Sequence, residues 1–252
     1  MTTANIFPDY TITELPETGS TNIYVENLLK TSDVAEGSVI FTLNQTAGIG
    51  QQENKWESEA GKNLTLTTVL YPKFLHASEQ FFLTIITSLA TCSVLDFFLK
   101  NKDSRIKWPN DIFYHHRKVA GILIKNSVLG TSIDQTIVGV GLNVNQTHFH
   151  SAPNASSLKI ISNVTYDIED VLSKWHTFFA NYYSLLKNDS SGLLNLYYSR
   201  MYLKDVFAMY EIANQKVEAC ITGVDEYGQL LLEGRNGKNY VCGLKEIVFP
   251  TY

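Results

Sequence analysis

The sequence of 252 residues has only three cysteines, Cys92, Cys220 and Cys242, and none of them forms a Cys-x-x-Cys pair. An odd number of widely separated cysteines argues against a disulfide framework and against a zinc ribbon. A chain of this length buries enough surface to fold on its hydrophobic core alone. This cysteine usage is typical of proteins in a reducing cytoplasm.

The sequence is also poor in charge, since charged residues make up 18% of it. Lysine and arginine number 20 against 25 aspartates and glutamates, a net charge of -5 without a block of one sign. Nucleic-acid binding by phosphate neutralisation is therefore not expected. The start lacks the features of a signal peptide and no run of 18 apolar residues occurs, so we expect a cytoplasmic protein with no membrane partner.

Hydrophobic patterning divides the chain into a mixed body and an all-β tail. The helical patterns begin near Ser20 and cover 81–100 and 168–186. The β-type runs of the body are 38–43, 64–71, 106–108, 112–114, 119–125 and 136–144. After Arg200, short β-type runs alternate with turn signals, which is typical of a small antiparallel barrel. We therefore predict an α+β protein with domains 1–199 and 200–252.

A polar stretch, 44–63, separates the first two predicted strands, and we expect a long functional loop there. Glycines at 48 and 50 leave backbone N–H groups accessible to an anionic ligand, and Trp56 offers a flat ring face. The spacing matches neither a phosphate loop nor a dinucleotide-binding fingerprint. On spacing alone, a flexible surface loop with a packing tryptophan is an equal alternative.

The segment KWPND (107–111) stands between two predicted strands and is followed by Lys118 and by GIL (121–123). Its proline restricts the turn. If the two strands form a hairpin, Asp111 and Lys118 lie across from each other as a charge pair in a pocket. A solvated hairpin pair worth less than ~1 kcal/mol is the alternative, and spacing alone favours it.

A third segment places Gly139 and Gly141 on one face of a predicted strand, beside Asn143 and Asn145. Glycine within a strand marks a place where a ligand or another part of the protein approaches closely. A ligand lying flat on the strand and a tight helix-sheet contact explain this pattern equally well.

Taken together and in order, these segments resemble those of the biotin protein ligases. The segments are GSTN (19–22), QTAGIG (45–50), KWES (55–58), GKNL (61–64), KWPND (107–111), KVAGIL (118–123) and GVGLNVN (139–145). The resemblance extends from about Ile12 to the end of the chain. It implies a class II synthetase-like biotinyl/lipoyl ligase catalytic domain followed by a small SH3-like C-terminal β-barrel.

The resemblance implies the activity of a biotin-[acetyl-CoA-carboxylase] ligase. Such an enzyme joins biotin to ATP as biotinyl-5'-AMP, with Mg²⁺ at the phosphates, and releases pyrophosphate. It then transfers the biotinyl group to one lysine of a biotin carboxyl carrier domain of a biotin-dependent carboxylase. The oligomeric state is not predicted. Some relatives form homodimers, but the composition of this chain does not distinguish a monomer from a homodimer.

The resemblance also assigns residues to roles. The biotin-binding residues would be Ser20, Thr21, Asn22, Gln45, Gly48, Lys118, Gly121, Ile122, Leu123, Gly139 and Gly141. The ATP- and adenylate-binding residues would be Gly50, Gln51, Trp56, Asn110, Lys118 and Asn143. Lys118, held by Asp111, would be the catalytic cation between the biotin carboxylate and the α-phosphate. Asp111 would also orient the acceptor lysine or take its proton, and Asn110 and Asp111 would lie near Mg²⁺.

Two residues of the 45–51 loop depart from the family, which commonly carries arginines where this chain has Ile49 and Gln51. Glutamine cannot replace the rigid charged fork of arginine. Either Lys118 and Mg²⁺ suffice, or Lys55 or Lys62 helps, or adenylate formation is slow. We expect weaker retention of the adenylate than in arginine-bearing relatives.

Bifunctional relatives carry a helix-turn-helix domain before the Ser-Thr-Asn segment, whereas 19 residues precede Ser20 here, so we expect no repressor function. Two other functions stay open. One is a lipoate or octanoate ligase or transferase of the same fold, although an octanoyl transferase would need a cysteine nucleophile and none of the three has a catalytic context. The other is a degenerate biotin-binding protein without turnover.

Overall fold

The computed structural model describes residues 6–51 and 54–251, so Gln52 and Glu53 of the predicted loop lie outside the described residues. The strands of the body are β1 Ile12–Leu15, β2 Val39–Thr42, β3 Gly48–Ile49, β4 Lys55–Trp56, β5 Asn63–Leu70, β6 Ser104–Lys107, β7 Asp111–Tyr114, β8 Arg117–Leu129 and β9 Ser132–Asn143. The helices are α1 Thr21–Leu28, α2 Phe81–Leu99, α3 Leu158–Ser162, α4 Ile168–Asn188 and α5 Leu193–Arg200. The strands of the tail are β10 Phe207–Ile212, β11 Gln215–Val224, β12 Leu230–Gly234, β13 Asn239–Cys242 and β14 Ile247–Val248.

Seven strands form the main sheet, in the order β1-β2-β5-β9-β8-β7-β6. All neighbours are antiparallel except β1 and β2. Helices α2 and α4 cover one face and build the larger hydrophobic core with it. Helix α1 packs on the opposite face through a smaller cluster of Val25, Ile40, Val69 and Ile137. This second face is only partly covered, which leaves room for a site beside α1.

Helix α2 is apolar around most of its circumference because it is enclosed by the sheet, α4 and α5. Together with the turn before it, Ala77–Leu99 has the length and composition of a membrane-spanning helix. Most of its residues are buried within the fold, however, as in the core helix of a globular domain. The helix ends at Lys100, which adopts a left-handed conformation with φ 56°.

The tail forms a separate five-stranded antiparallel sheet in the order β13-β12-β11-β10-β14. It is anchored to the body by the indole of Trp108, whose Nε1 donates a buried hydrogen bond of 2.8 Å to the carbonyl of Gly228. Gly228 has φ 82°, and a Cβ there would lie 2.3 Å from the ring of Phe81, so both conformation and space require glycine. The α+β class with a small C-terminal β domain is confirmed.

The structure differs from the sequence-based predictions in four places. The stretch 44–63 contains the short hairpin β3–β4 and is not wholly a loop. Strands β8 and β9 extend well beyond the predicted runs, because their polar outer halves pair with each other without showing apolar alternation. Helices α3 and α5 were not predicted, since each is too short for a clear helical period.

Candidate active site

A cavity of about 460 Å³, including its open mouth, lies on the α1 face of the main sheet. Much of this volume is the open mouth, because the indole of Trp56 lies inside the cavity. Its lining residues are Ser20, Thr21, Asn22, Gln45, Ile49, Gly50, Gln51, Trp56, Thr65, Leu66, Asn110, Asp111, Lys118, Gly121, Ile122, Leu123, Gly139, Val140 and Gly141. All the site residues predicted from the sequence line this cavity except Gly48 and Asn143.

One end of the cavity is a fixed polar network at the start of α1. Gln45 Oε1 accepts hydrogen bonds from the backbone N–H of Thr21, at 3.0 Å, and from its hydroxyl, at 3.4 Å. Asn22 Oδ1 accepts from the hydroxyl of Thr67 at 2.6 Å, and its Nδ2 donates to the carbonyl of Leu123 at 3.2 Å. Ser20 is the N-cap of α1 and its side chain makes no capping bond. The network holds amide and hydroxyl groups in place for a neutral polar ligand.

The two glycines of β9 each make room for a side chain of the protein itself. A Cβ on Gly139 would lie 2.2 Å from Asn22 Oδ1. A Cβ on Gly141 would lie 2.4 Å from Cε2 of Trp56. Gly139 therefore lies at a tight helix-sheet contact, with Asn22 of α1. Gly141 instead leaves space for the ring of Trp56.

The indole of Trp56 lies inside the cavity, across Gly141 and Gly121, with its Cζ3 3.1 Å from the Cβ position of Gly121. The ammonium of Lys118 lies 5.5 Å from the ring centroid. Within 6–51 and 54–251, the buried Nε1 of Trp56 has no hydrogen-bond partner. The ring thus covers a flat floor of backbone between the polar network and the charged residues.

Opposite the polar network, Lys118 Nζ and Asp111 Oδ1 form an ion pair of 2.7 Å. Their side chains are 34% and 23% exposed, so the pair is partly desolvated at the cavity wall. The two residues are not directly opposed in the hairpin. Asp111 pairs with Gly121 and Lys118 with Phe113, and a bulge in β8 brings the two side chains together.

Lys107 is a third charged residue on this side, and the sequence did not single it out. Its ammonium lies 4.9 Å from the ring centroid of Phe113 and 5.1 Å from that of Phe249. Burial lowers the pKa of Lys107, Asp111 opposes that shift, and Lys118 adds to it. A lysine next to the predicted catalytic pair, at the start of an unusual turn, was the available signal.

The hairpin β3–β4 is fastened over the cavity by Glu57, which follows Trp56. The carboxylate accepts hydrogen bonds from the backbone N–H of His150 at 2.8 Å and from the backbone and hydroxyl of Ser151 at 2.7 and 2.6 Å. Burial raises the pKa of Glu57, but these hydrogen bonds outweigh it and lower the pKa overall. Gln146 adds a second tie, accepting from the backbone N–H of Glu59.

The remaining predicted residues lie at the margins of the cavity. Asn110 follows the cis Trp108–Pro109 bond and donates from Nδ2 to the carbonyl of Ile122 at 2.6 Å. Asn143 lies beyond Gly141 on β9 and donates to the carbonyl of Ser156, while its buried Oδ1 has no partner among the described residues. Gly48 belongs to the hairpin, where a Cβ would meet the amide of Gln45 at 2.7 Å.

The side chains present do not form a metal site on their own. In the part of the chain that the structure describes, no group of three or more His, Cys, Asp or Glu side chains could hold a metal ion. Among the described residues, Asp111 is the one carboxylate that lines the cavity. A single carboxylate and an amide oxygen suit Mg²⁺ that arrives bound to phosphates, because Mg²⁺ keeps several waters and few protein ligands.

Comparison with known proteins shows the family to which the chain belongs. The model of the biotin/lipoate A/B protein ligase family matches residues 15–143, which is half of the chain. The chain belongs to this family. The matched range contains every residue that lines the cavity.

Relatives and solved structures of the family agree over most of the chain. The biotin-[acetyl-CoA-carboxylase] ligase of Paracoccus denitrificans is 28% identical over 239 residues, covering 90% of this chain and 96% of that protein. The biotin protein ligase of Aquifex aeolicus, solved with biotin and ATP, superimposes with a TM-score of 0.78 at 24% identity, covering 96% of this chain and 99% of that one.

Another group of family members is longer than the matched segment. The bifunctional ligase/repressor BirA of Bacillus spizizenii is 30% identical over 119 residues, which is 47% of this chain and 36% of that protein. This chain therefore spans about a third of the length of the bifunctional relatives that it matches.

Four lining residues were not predicted as binding residues. Thr65, Leu66 and Val140 contribute from the central strands β5 and β9, and Ile49 from the hairpin. Thr65 pairs directly with Gly141 and so lies in the same row of the sheet. The sequence did not reveal these residues, because the row that contains Thr65 and Gly141 can be identified only when the register of the strands is known.

Proposed function

We propose that this protein is an ATP-dependent biotin protein ligase, which forms biotinyl-5'-AMP and transfers the biotinyl group to a lysine of a biotin carboxyl carrier domain. The observation that carries the proposal is the single cavity that joins a neutral polar network at α1 to the Lys118–Asp111 ion pair. A substrate with a neutral polar head and an anionic tail matches both ends. The matching family and the ligases named above support the same activity.

The polar end suits the ureido ring of biotin. A ureido group offers two N–H donors and one carbonyl acceptor, and burying it without partners would cost several kcal/mol. Ser20, Thr21, Asn22 and Gln45 supply hydroxyl and amide groups on one side of the cavity. The apolar edge of the ring and the aliphatic tail would lie along Leu123, Val140 and the backbone of Gly121.

The charged end suits adenylate formation. The biotin carboxylate must approach an anionic α-phosphate, so a fixed cation between the two groups lowers the barrier. Lys118 would be that cation, and Asp111 contacts its ammonium at 2.7 Å. Because the pair is partly desolvated, its electrostatic effect is stronger than that of an exposed pair.

Trp56 and Asn143 are proposed to hold the nucleotide. The indole covers the floor of the cavity in this structure, so the ring has to shift from Gly141 or share the floor with the ligand when substrates enter. Its free face would then stack on adenine. The buried Oδ1 of Asn143 lacks a partner and could accept from the adenine amino group. Mg²⁺ would arrive with ATP, with Asn110 and Asp111 as the nearest oxygen donors.

The second half-reaction needs a neutral acceptor lysine, and Asp111 is proposed to orient it or take its proton. The carrier would be that of a biotin-dependent carboxylase, and the cytoplasm is the proposed location, where thiols stay reduced and Mg-ATP is present. A sister activity that uses a cysteine nucleophile fits less well. Cys92 is fully buried in α2, and burial raises the pKa of its thiol to about 12. Neither Cys220 nor Cys242 lines the cavity.

The test is exchange of labelled pyrophosphate into ATP, measured with biotin, lipoate or octanoate in parallel. Exchange that depends on biotin supports the proposal, because only adenylate formation returns pyrophosphate to ATP. Exchange with lipoate or octanoate alone would assign the protein to the sister activity. Tight biotin binding without exchange would identify a binding protein that has lost turnover.

A further inference from the structure

Lys107 is partly buried, and its ammonium has no hydrogen-bonding partner among the residues that the structure describes. Its neighbours within the described residues are the rings of Phe113 and Phe249, at 4.9 and 5.1 Å. In 6–51 and 54–251 no carboxylate lies within 4.0 Å of it, and Asp111 is engaged by Lys118. Ring faces recover only part of the cost of desolvating an ammonium. The three N–H donors of the Lys107 ammonium are therefore available to bind a ligand.

The strand register places Lys107 on the cavity face of the sheet. Lys107 pairs directly with Asp111, Asp111 with Gly121, and Gly121 with Gly141. Directly paired residues of antiparallel strands point to the same face, and neighbouring strands are about 4.8 Å apart. Lys107 thus extends the row that forms the cavity floor, one strand beyond Asp111 and on the side away from α1.

The direction of the reaction points to the same place. Displacement at the α-phosphate is in line, so the pyrophosphate leaves on the side opposite the attacking carboxylate. In the proposed function the carboxylate comes from the α1 side, where Gln45 and Asn22 hold the ureido ring. The leaving group therefore moves toward the edge of the sheet formed by β7 and β6, where Lys107 stands.

We propose that Lys107 is a second phosphate-binding cation of the site, which binds the β- and γ-phosphates of ATP and the departing pyrophosphate. This inference rests on the proposed ligase function. A carboxylate oxygen of biotin bonds to the α-phosphorus, the bond from that phosphorus to the bridging oxygen breaks, and the electron pair leaves with the Mg²⁺-bound pyrophosphate. No proton transfer is required, so a fixed positive charge is what this step needs.

The inference accounts for two features of this chain. Ile49 and Gln51 stand in the loop where relatives commonly carry arginines, and Lys107 would supply a cation from strand β6, directly opposite Asp111. Phe249 comes from the C-terminal domain and covers one side of the Lys107 ammonium. The small domain thereby helps to fix a phosphate-binding group of the large one.

The experiment separates the two half-reactions in Lys107→Met, Lys107→Arg and the control Lys238→Met. Lys238 also lies over a ring, that of Tyr240 at 5.0 Å, but it precedes β13 in the C-terminal sheet and is not part of the row that contains Asp111. The first assay is biotin-dependent pyrophosphate exchange, with KM measured for ATP and pyrophosphate. The second is transfer from synthetic biotinyl-5'-AMP to a carrier domain, which needs no phosphate leaving group.

We expect Lys107→Met to raise the KM for ATP and pyrophosphate and to lower the exchange efficiency about 10- to 100-fold, with transfer within twofold of wild type. Lys107→Arg should recover most of the loss, and Lys238→Met should match wild type. Phe249→Leu, which keeps the charge, should raise the same KM values by a smaller factor, and this variant serves if Lys107→Met does not fold.

Three results would overturn the inference alone, with wild type active. These are unchanged exchange in Lys107→Met, an equal loss in both half-reactions, and a loss of transfer only. Absence of biotin-dependent exchange in wild type would instead overturn the proposed function on which the inference rests.

Discussion

Alanine substitutions at Gly139 and Gly141 should have different effects, although the two residues lie on the same strand and the same face. The first should lower the stability of the protein, and the second should mainly change the environment of Trp56. In Gly139→Ala, the new methyl would lie 2.2 Å from Asn22 Oδ1. Asn22 is fixed in α1, so it must give up its bonds with Thr67 and Leu123. Two hydrogen bonds at about 1 kcal/mol each, with the strain of overpacking, predict a destabilisation of about 2–4 kcal/mol.

In Gly141→Ala, the new methyl meets the ring of Trp56, whose side chain can turn away while the hairpin stays fastened. We expect a cost below about 1 kcal/mol, because the indole N–H already lacks a partner and a β-strand favours alanine over glycine. The ring should become more exposed. The tryptophan emission should then shift to longer wavelength, since Trp108 and Trp175 remain buried.

Thermal unfolding and fluorescence measure both effects. At this chain length, 2–4 kcal/mol corresponds to a fall in Tm of roughly 5–15 °C for Gly139→Ala, against a fall of a few degrees at most for Gly141→Ala. The red shift should occur in Gly141→Ala alone. Equal Tm values for the two variants, or an unshifted emission in Gly141→Ala, would refute the assignment of one side chain to each glycine.

Three further predictions concern the edges of the site. Trp108→Phe removes the donor to the carbonyl of Gly228 and should lower the unfolding free energy by about 1–3 kcal/mol in denaturant titration; an unchanged midpoint would contradict this. The hydrogen-bonded carboxylate of Glu57 has a lowered pKa, so the hairpin should stay fastened above pH 4.5 and open progressively as the pH falls below 4.5 and through the lowered pKa. The protection factor of the Ser151 amide, which corrects for the intrinsic pH dependence of hydrogen exchange, should fall there, whereas in Glu57→Gln it should show little pH dependence. Gln51→Arg should lengthen the lifetime of the enzyme-bound adenylate in rapid gel filtration, and an already long-lived wild-type complex would contradict weak retention.

Much of the fold was predictable because it depends on local patterns. The apolar run of α2 predicts a helix, and the β-branched runs of β2, β5 and β9 predict strands, without any knowledge of tertiary contacts. The hairpin β3–β4 was not predictable in this way. Its strands have two residues each, and contacts distant in sequence, such as Glu57 with Ser151, hold it in place.

The candidate site was predictable as a set of residues but not in its geometry. The contact of Asp111 with Lys118 was expected from a plain hairpin, whereas the structure makes it through a bulge. The spacing of the β9 glycines left a bound ligand and a tight helix-sheet contact equally open, and the structure fills their space with Asn22 and Trp56. The KWPND segment could have drawn attention to Lys107, but its contact with Phe249, which is distant in sequence, could not be predicted from a local motif.

Transfer of biotin to a carrier domain tests the central claim most directly. Purified protein, Mg-ATP, biotin and an unmodified biotin carboxyl carrier domain are incubated together, and the intact mass of the carrier is measured, with Lys118→Ala as the control. The account predicts the addition of one biotinyl group at one lysine, with the rate reduced at least about 10²-fold in Lys118→Ala. A carrier that stays unmodified with wild type, or is modified equally fast with Lys118→Ala, would contradict it.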